Sequence, residues 1–129
     1  MKIYKNSLFI RFARGQRITD KDLCEAIKRA KRGLIDADLG GGVIKQRIAR
    51  PNEGRSGGSR TIVLFRAEER AFFVYGFSKN QRDNINEDEL AAFKLVAKEI
   101  LNYTLEQIVT AIEMGRFNEV NCDEEDLQK

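Results

Sequence analysis

Residues 60–78 read RTIVLFRAEERAFFVYGFS and decide the fold, because they hold two apolar runs separated by a short charged stretch. The runs at residues 60–66 and 71–78 are rich in β-branched and aromatic side chains, a composition typical of strands. Residues 67–70 are short enough to form a hairpin connection. The second run is almost continuously apolar, which predicts a central strand with both faces covered.

The sequence before this hairpin predicts two more strands and a helix. Residues 38–42 (DLGGG) form a turn that leads into a strand at residues 43–50 (VIKQRIAR), and this strand ends at the only proline. Residues 52–59, rich in Gly and Ser, are predicted to be a loop. Alternating residues at 8–12 predict a short first strand. A helix then begins at the N-cap Thr19 and ends at Gly33.

The sequence after the hairpin is helical. Asn86 with Glu89, and Thr104 with Gln107, have capping-box spacing, and the second pair begins a helix over residues 105–114. This order predicts an α+β fold, in which an N-terminal helix and C-terminal helices pack on a small antiparallel meander. Residues 1–120 are predicted to form one domain, and residues 121–129 an acidic tail.

The charge is distributed unevenly along the 129 residues, although the net charge is only +3. Residues 1–82 carry 19 basic and 8 acidic side chains, whereas residues 83–129 carry 4 and 12. The first part is therefore expected to face a polyanion. No apolar stretch is long enough to span a membrane. Cys24 and Cys122 lack metal-ligand spacing, and we expect unpaired thiols in a reducing cytoplasm.

Cationic residues concentrate on and around the predicted strands. Lys45 and Arg47 are two residues apart, so both side chains leave one sheet face, whereas Ile44 and Ile48 point to the other. An ordinary solvated face is the alternative. The meander should also bring further cations close, because the end of each strand lies beside the start of the next. These are Arg50, Arg55, Arg60, Lys79 and Arg82.

Glycines and aromatic residues near these cations admit two interpretations each. Gly57 and Gly58 could let the backbone approach a ligand closely, or belong to an ordinary loop. Tyr75 and Phe77 could stack on bases, although core packing is the favoured role. The sequence has no histidine, no obvious magnesium site in its basic half and no paired thiol nucleophile. Dense Lys and Arg remain, which favour metal-free and cofactor-free cleavage of RNA by its own 2′-hydroxyl.

Three motifs resemble the RelE/ParE toxin superfamily of bacterial type II toxin–antitoxin systems, and its HigB-like branch most closely. They are DLGGGVIKQR at residues 38–47, RSGGSRT at 55–61 and FVYGFSKN at 73–80. The resemblance spans roughly residues 8–115. It implies a small antiparallel sheet with helices, and an endoribonuclease that stops translation by cutting mRNA in the ribosomal A site.

The resemblance also assigns roles to individual residues. It implies that Lys45 is a general base beside Arg47, that Arg55 holds the scissile phosphate, and that Arg60 and Lys79 complete the catalytic set. The remaining candidates for RNA binding are Arg50, Arg82, Tyr75, Gly57 and Gly58. Two departures are Asn80, where some members have arginine, and residues 82–86, where the best-known members have a tyrosine.

The resemblance implies a cognate antitoxin, an acidic or helix-turn-helix protein that covers the basic face. Two alternatives to the nuclease stay open. A ParE-like toxin would inhibit DNA gyrase by binding it, and a non-catalytic domain would bind RNA through its phosphates.

Overall fold

A computed structural model describes residues 1–50 and 54–122, and the side chains of residues 49–57 lie outside that description. Over the described ranges the chain is α+β, as predicted, with four helices and six strands. None of these helices is both long and apolar enough to cross a lipid bilayer. The elements in chain order are β1 (Lys2–Asn6), α1 (Ser7–Gln16), α2 (Asp20–Lys31), β2 (Ala37–Gly40), β3 (Val43–Arg50), β4 (Gly54–Arg66), β5 (Arg70–Ser78), α3 (Glu87–Ile100), α4 (Leu105–Glu113) and β6 (Phe117–Glu119).

The six strands form one mixed sheet in the order β2-β3-β4-β5-β1-β6. Strands β3 to β5 form the predicted antiparallel meander, and β2, which was not predicted, pairs antiparallel with β3. Strand β1 then runs parallel to β5, with Lys2 opposite Arg70, and β6 is antiparallel to β1. Because β5 lies between β4 and β1, its continuous apolar sequence is explained by its central position, as predicted.

Helices cover both faces of the sheet. On one face, α1 and α2 pack through Phe9 and Ile27 on a core that includes Ile44, Ile48 and Phe73. On the other face, α3 and α4 pack through a separate cluster of apolar side chains. That cluster includes Ala97, Leu101, Ile108, Val43, Leu64 and Phe72. The prediction that Ile44 and Ile48 point toward helices is confirmed.

The helix ends follow the sequence signals. Thr19, Asn86 and Thr104 each accept a hydrogen bond from the backbone N–H three residues on, and each reciprocal bond is present. These capping boxes satisfy backbone donors that have no partner inside the helix. The turn predicted at residues 38–42 is shorter than expected, because β2 extends to Gly40 and the turn lies at Gly41 and Gly42, whose φ angles are +61° and +84°.

The predicted strand at residues 8–12 is wrong, because this stretch lies in α1. Asn6 is the N-cap, with its side chain accepting a hydrogen bond from the Phe9 N–H, and the buried residues Phe9 and Ala13 are four apart. Alternation over five residues is too short to separate a strand from an amphipathic helix. The first strand is β1, which lies directly before the N-cap.

The predicted loop at residues 52–59 is also wrong in part, because β4 begins at Gly54 and Gly57 and Gly58 lie within it. Ser59 pairs with Ile48 on one side and Ser78 on the other. The composition of Gly and Ser indicated a loop, but pairing with β3 from Gly54 onward overrides it, and residues 52–53 lie outside the described residues. As a consequence Arg60 lies opposite Arg47, and Arg50 instead lies opposite Gly54.

The expectation of two separate thiols is wrong as well, because Cys24 and Cys122 form a disulfide bond. The residues are 98 positions apart, so no local spacing could indicate the pairing. Two hydrogen bonds hold the segment after β6, one to the backbone of β1 and one to a side chain at the start of α2. The Val120 N–H donates to the carbonyl of Ile3, and the Asn121 N–H donates to Asp20. The rest of the predicted acidic tail, residues 123–129, lies outside the described residues.

Candidate functional site

The pairing of β3 with β4 brings three cationic side chains together on one face of the sheet. Arg47 lies directly opposite Arg60, and Lys45 lies opposite Ile62. Because side chains alternate along a strand, Lys45, Arg47 and Arg60 share the face that α3 and α4 cover elsewhere. The prediction that Lys45 and Arg47 leave the sheet on the same side is therefore confirmed.

These three side chains line a single cleft of about 300 Å³, together with Asp36, Ala37 and Asp83. We call it the cationic cleft. Its floor is β3 and β4, one wall is the segment before β2, and the other wall is the segment that follows β5. An anion in this cleft would meet the cationic side chains of Lys45, Arg47 and Arg60, which suit a phosphate, and the carboxylates of Asp36 and Asp83 reduce the net positive charge there.

Arg47 is held by its backbone while part of its guanidinium lacks a partner. Its N–H donates to Asp36 Oδ2 at 2.6 Å, and its carbonyl accepts from Arg29 Nη2 at 2.5 Å. Its Nε is buried and, among the described residues, has no hydrogen-bond partner. Arg60 donates from Nη1 to the carbonyl of Gly58 at 2.9 Å. Arg47 is therefore fixed through its backbone, and of the described groups none satisfies its buried Nε.

Gln46 fixes the wall that carries Asp36. Its side chain is fully buried, and Nε2 donates to the carbonyls of Ala26 and Leu34 at 2.9 and 3.3 Å. Its Oε1 accepts from the Asp36 N–H at 2.8 Å. Sequence analysis missed both residues. The signal for Gln46 was its place between Ile44 and Ile48 on the core-facing side of β3, where an amide needs buried partners.

The opposite wall is formed by Asp83 and Asn84. Asp83 lines the cleft, and Asn84 Oδ1 lies 3.5 Å from Lys45 Nζ, a long hydrogen bond. The same Oδ1 accepts from the Ile85 N–H at 2.9 Å. Neither residue was predicted to belong to the site, because the prediction for this segment considered only its cation Arg82 and not the polar residues beside it.

Arg82, predicted to contact RNA, is engaged with protein groups in the structure. Its Nη1 and Nη2 donate to Glu89 at 2.9 and 2.5 Å, Nη1 also donates to Tyr75 Oη at 3.1 Å, and Nε donates to the Asn84 carbonyl at 2.8 Å. The hydrogen bonds that Arg82 donates raise its pKa, the bonds to Glu89 more than the bond to Tyr75. The same bonds to Glu89 are the main cause that lowers the pKa of the Glu89 carboxyl.

Tyr75 is half-buried on the same face as the cleft. A bulge at Val74 shifts the pairing of β5, so that Tyr75 lies opposite Ile62 and Phe77 opposite Arg60. The Tyr75 ring packs against Phe77 and Phe93, with centroids 6.0 and 5.9 Å apart. Its role in stacking on a base stays a prediction, and its present contacts are those of a packed side chain.

The other predicted site residues are not among the described residues that line the cleft. Lys79 is exposed and follows Ser78, whose partner is Ser59, so it lies at the Arg60 end of the sheet without lining the cleft. Gly58 is buried in β4. Arg50, Arg55 and Gly57 lie on β3 and β4, but nothing beyond their strand positions is described. Their roles stay predictions.

A comparison with protein families now identifies the chain. The family model described as "RelE toxin of RelE / RelB toxin-antitoxin system" matches residues 1–120. The chain belongs to the RelE toxin family. A search of curated proteins finds no significant match.

Membership extends over nearly the whole described fold, including β1 and β6, which lie outside the motifs that carried the resemblance. This RelE protein is therefore a toxin of a toxin–antitoxin system, and the family implies a cognate antitoxin. The cationic cleft lies within the matched residues.

Proposed function

We propose that the toxin is a metal-independent endoribonuclease that cleaves mRNA on the ribosome. The observation that carries the proposal is the convergence of Lys45, Arg47 and Arg60 on one cleft. The ribosome and mRNA as partners rest on the resemblance to RelE-type toxins, and the cleft supplies the chemistry.

The reaction that fits this cleft uses the RNA as its own nucleophile. The 2′-oxygen attacks the adjacent phosphorus, the bond from phosphorus to the 5′-oxygen breaks, and the products are a 2′,3′-cyclic phosphate and a 5′-hydroxyl. Negative charge grows on the phosphate oxygens in the transition state. The guanidinium groups of Arg47 and Arg60 would stabilise that charge.

Two proton transfers complete the reaction. We assign Lys45 as the general base that takes the proton of the 2′-hydroxyl, and the 5′-oxygen takes a proton from water. Asn84 Oδ1, 3.5 Å from Lys45 Nζ, helps to orient the amine. Arg55 and Lys79 would hold the scissile and neighbouring phosphates. Arg50, Tyr75, Gly57 and Gly58 would contact the rest of the RNA.

Mapping of mRNA ends in cells tests this proposal. Induced wild-type protein should stop translation and produce primer-extension stops within codons. Arg47→Ala and Arg60→Ala should remove those stops, because each variant loses a charge that stabilises the transition state. The cleavage rate of each should fall by roughly a hundredfold or more. Lys98→Ala, which removes an exposed cation of α3 outside the cleft, should cut like wild type.

Two results would contradict the nuclease. The first is full toxicity of the Arg60→Ala variant, with the same primer-extension stops as wild type. Circular dichroism and the unfolding midpoint establish that this variant is folded. The second is toxicity with intact mRNA and arrested DNA replication, which is the outcome expected of a gyrase inhibitor.

A further inference from the structure

We propose that Arg82 is a positioning residue, which holds Asp83 and Asn84 against the cationic cleft through Glu89 and does not contact RNA. We call the pair of Arg82 and Glu89 the arginine brace. The inference rests on the proposed function for its kinetic consequence, but its structural consequence can be measured without any cleavage.

The guanidinium of Arg82 already donates hydrogen bonds to protein groups from all three of its nitrogens. Both of its terminal nitrogens donate to the Glu89 carboxylate, one also donates to Tyr75 Oη, and Nε donates to the Asn84 carbonyl. Its carbon lies 5.9 Å from the Tyr75 ring centroid and 5.8 Å from that of Phe77. A guanidinium in a two-bond pair with a carboxylate presents little net charge to a phosphate.

Glu89, the acceptor for Arg82, is itself held by the capping box of α3. It is the third residue of α3, and its Oε1 accepts from the Asn86 N–H at 2.8 Å while its own N–H donates to Asn86 Oδ1 at 2.8 Å. The capping box therefore fixes the carboxylate to the end of a 14-residue helix. Arg82 joins that helix end to Tyr75 of β5.

The arginine brace connects to the cationic cleft through Asn84. Arg82 Nε holds the carbonyl of Asn84, and the side chain of the same residue lies beside Lys45 Nζ. Asp83, between the two, lines the cleft with Lys45, Arg47 and Arg60. Loss of the brace would free this wall while leaving the three cations on their strands.

Two substitutions separate positioning from RNA contact. In Glu89→Gln, the amide oxygen can still accept from the Asn86 N–H, so the cap survives while the charged partner of Arg82 is lost. In Arg82→Lys, the positive charge remains, but the two-bond contact with Glu89 and the Nε contact with Asn84 are lost. A positioning role predicts that both variants lose activity. An RNA contact predicts that Glu89→Gln keeps or gains activity, since Arg82 is released.

The kinetic test uses ribosome complexes with a defined mRNA. For positioning, kcat should fall roughly ten- to a hundredfold in each variant with KM unchanged, and the double variant should be no worse than either single one. Glu119→Gln is the matched control, because it removes the exposed ion pair with Lys2 and should leave both constants unchanged. Wild-type kcat in Glu89→Gln overturns the inference.

A spectroscopic readout keeps the test independent of the proposed function. In the free protein, the side-chain amide signals of Asn84 and the Nζ signal of Lys45 should shift in Glu89→Gln and stay in place in Glu119→Gln. If wild-type protein cleaves no RNA while these signals shift, the proposed function fails and the brace stands. If the signals of Asn84 and Lys45 do not move in Glu89→Gln, the brace is overturned whatever the activity.

Discussion

At the scale of single residues, Gln46 and Arg47 show how one strand serves the core and the cleft at once. Gln46 turns inward to the carbonyls of Ala26 and Leu34 and to the Asp36 N–H, and Arg47 turns outward into the cleft. The alternation of a strand was enough to separate the two faces from the sequence. It could not identify the buried partners, because these come from α2 and from the segment that follows it.

Replacing Gln46 by leucine tests the importance of these buried contacts. The change keeps the side-chain size but leaves two carbonyls and one N–H without their partner, so the free energy of unfolding should fall by about 1–3 kcal/mol. Urea unfolding measures it. Gln81→Leu, at an exposed position, should change the free energy by less than about 0.5 kcal/mol. Equal stability of the Gln46 variant and wild type would contradict the assignment.

At the scale of elements, the local signals predicted most of what is local. The capping residues gave the starts of α2, α3 and α4, and the hairpin of β4 and β5 followed from two apolar runs. Two of the misplaced elements depend on distant partners, because β1 pairs with β5 and β6 pairs with β1. The first residues of β4 pair with the preceding strand β3, and their Gly and Ser content indicated a loop instead. Five alternating residues could not identify α1, whose buried face packs on β5.

The contact of α1 with β5 gives a prediction at this scale. A Cβ added to Gly76 would lie 2.3 Å from Phe12 Cδ2, so Gly76→Ala must displace an aromatic ring and should cost about 1–3 kcal/mol of stability. Gly15→Ala, within α1, meets nothing within 4 Å and should stabilise the protein by about 0.5–1 kcal/mol. Thermal unfolding of the two variants measures the loss of stability in the first and the gain in the second. A neutral Gly76→Ala would contradict the close packing.

At the scale of the whole molecule, the uneven charge of the sequence predicted a cationic surface, and the meander predicted which strands carry it. Two features of the cleft could not be predicted. Asp36 and Asp83 enter it from segments on opposite sides, and Arg82 turns away from it toward Glu89. Both depend on how loops fold back on the sheet, which a period of two residues does not encode.

The disulfide gives the prediction for the whole molecule. It joins residues 98 positions apart in a chain of 129, so its removal should increase the entropy of the unfolded chain and lower the free energy of unfolding by about 2–5 kcal/mol. Cys122→Ser should unfold at lower urea concentration, and wild type with excess reductant should match it. Cleavage should persist, because Cys24 packs on the sheet face opposite the cleft. A wild type indifferent to reductant would contradict the expectation.

The central claim is that a cleft of Lys and Arg side chains cleaves RNA through the RNA's own 2′-hydroxyl. The most direct measurement is single-turnover cleavage, on the ribosome, of an mRNA with one 2′-deoxy nucleotide at the mapped cleavage site. The account predicts that this substitution abolishes the cut, and that the unmodified mRNA gives a 2′,3′-cyclic phosphate and a 5′-hydroxyl. Cleavage of the 2′-deoxy mRNA at the same position and rate would contradict it.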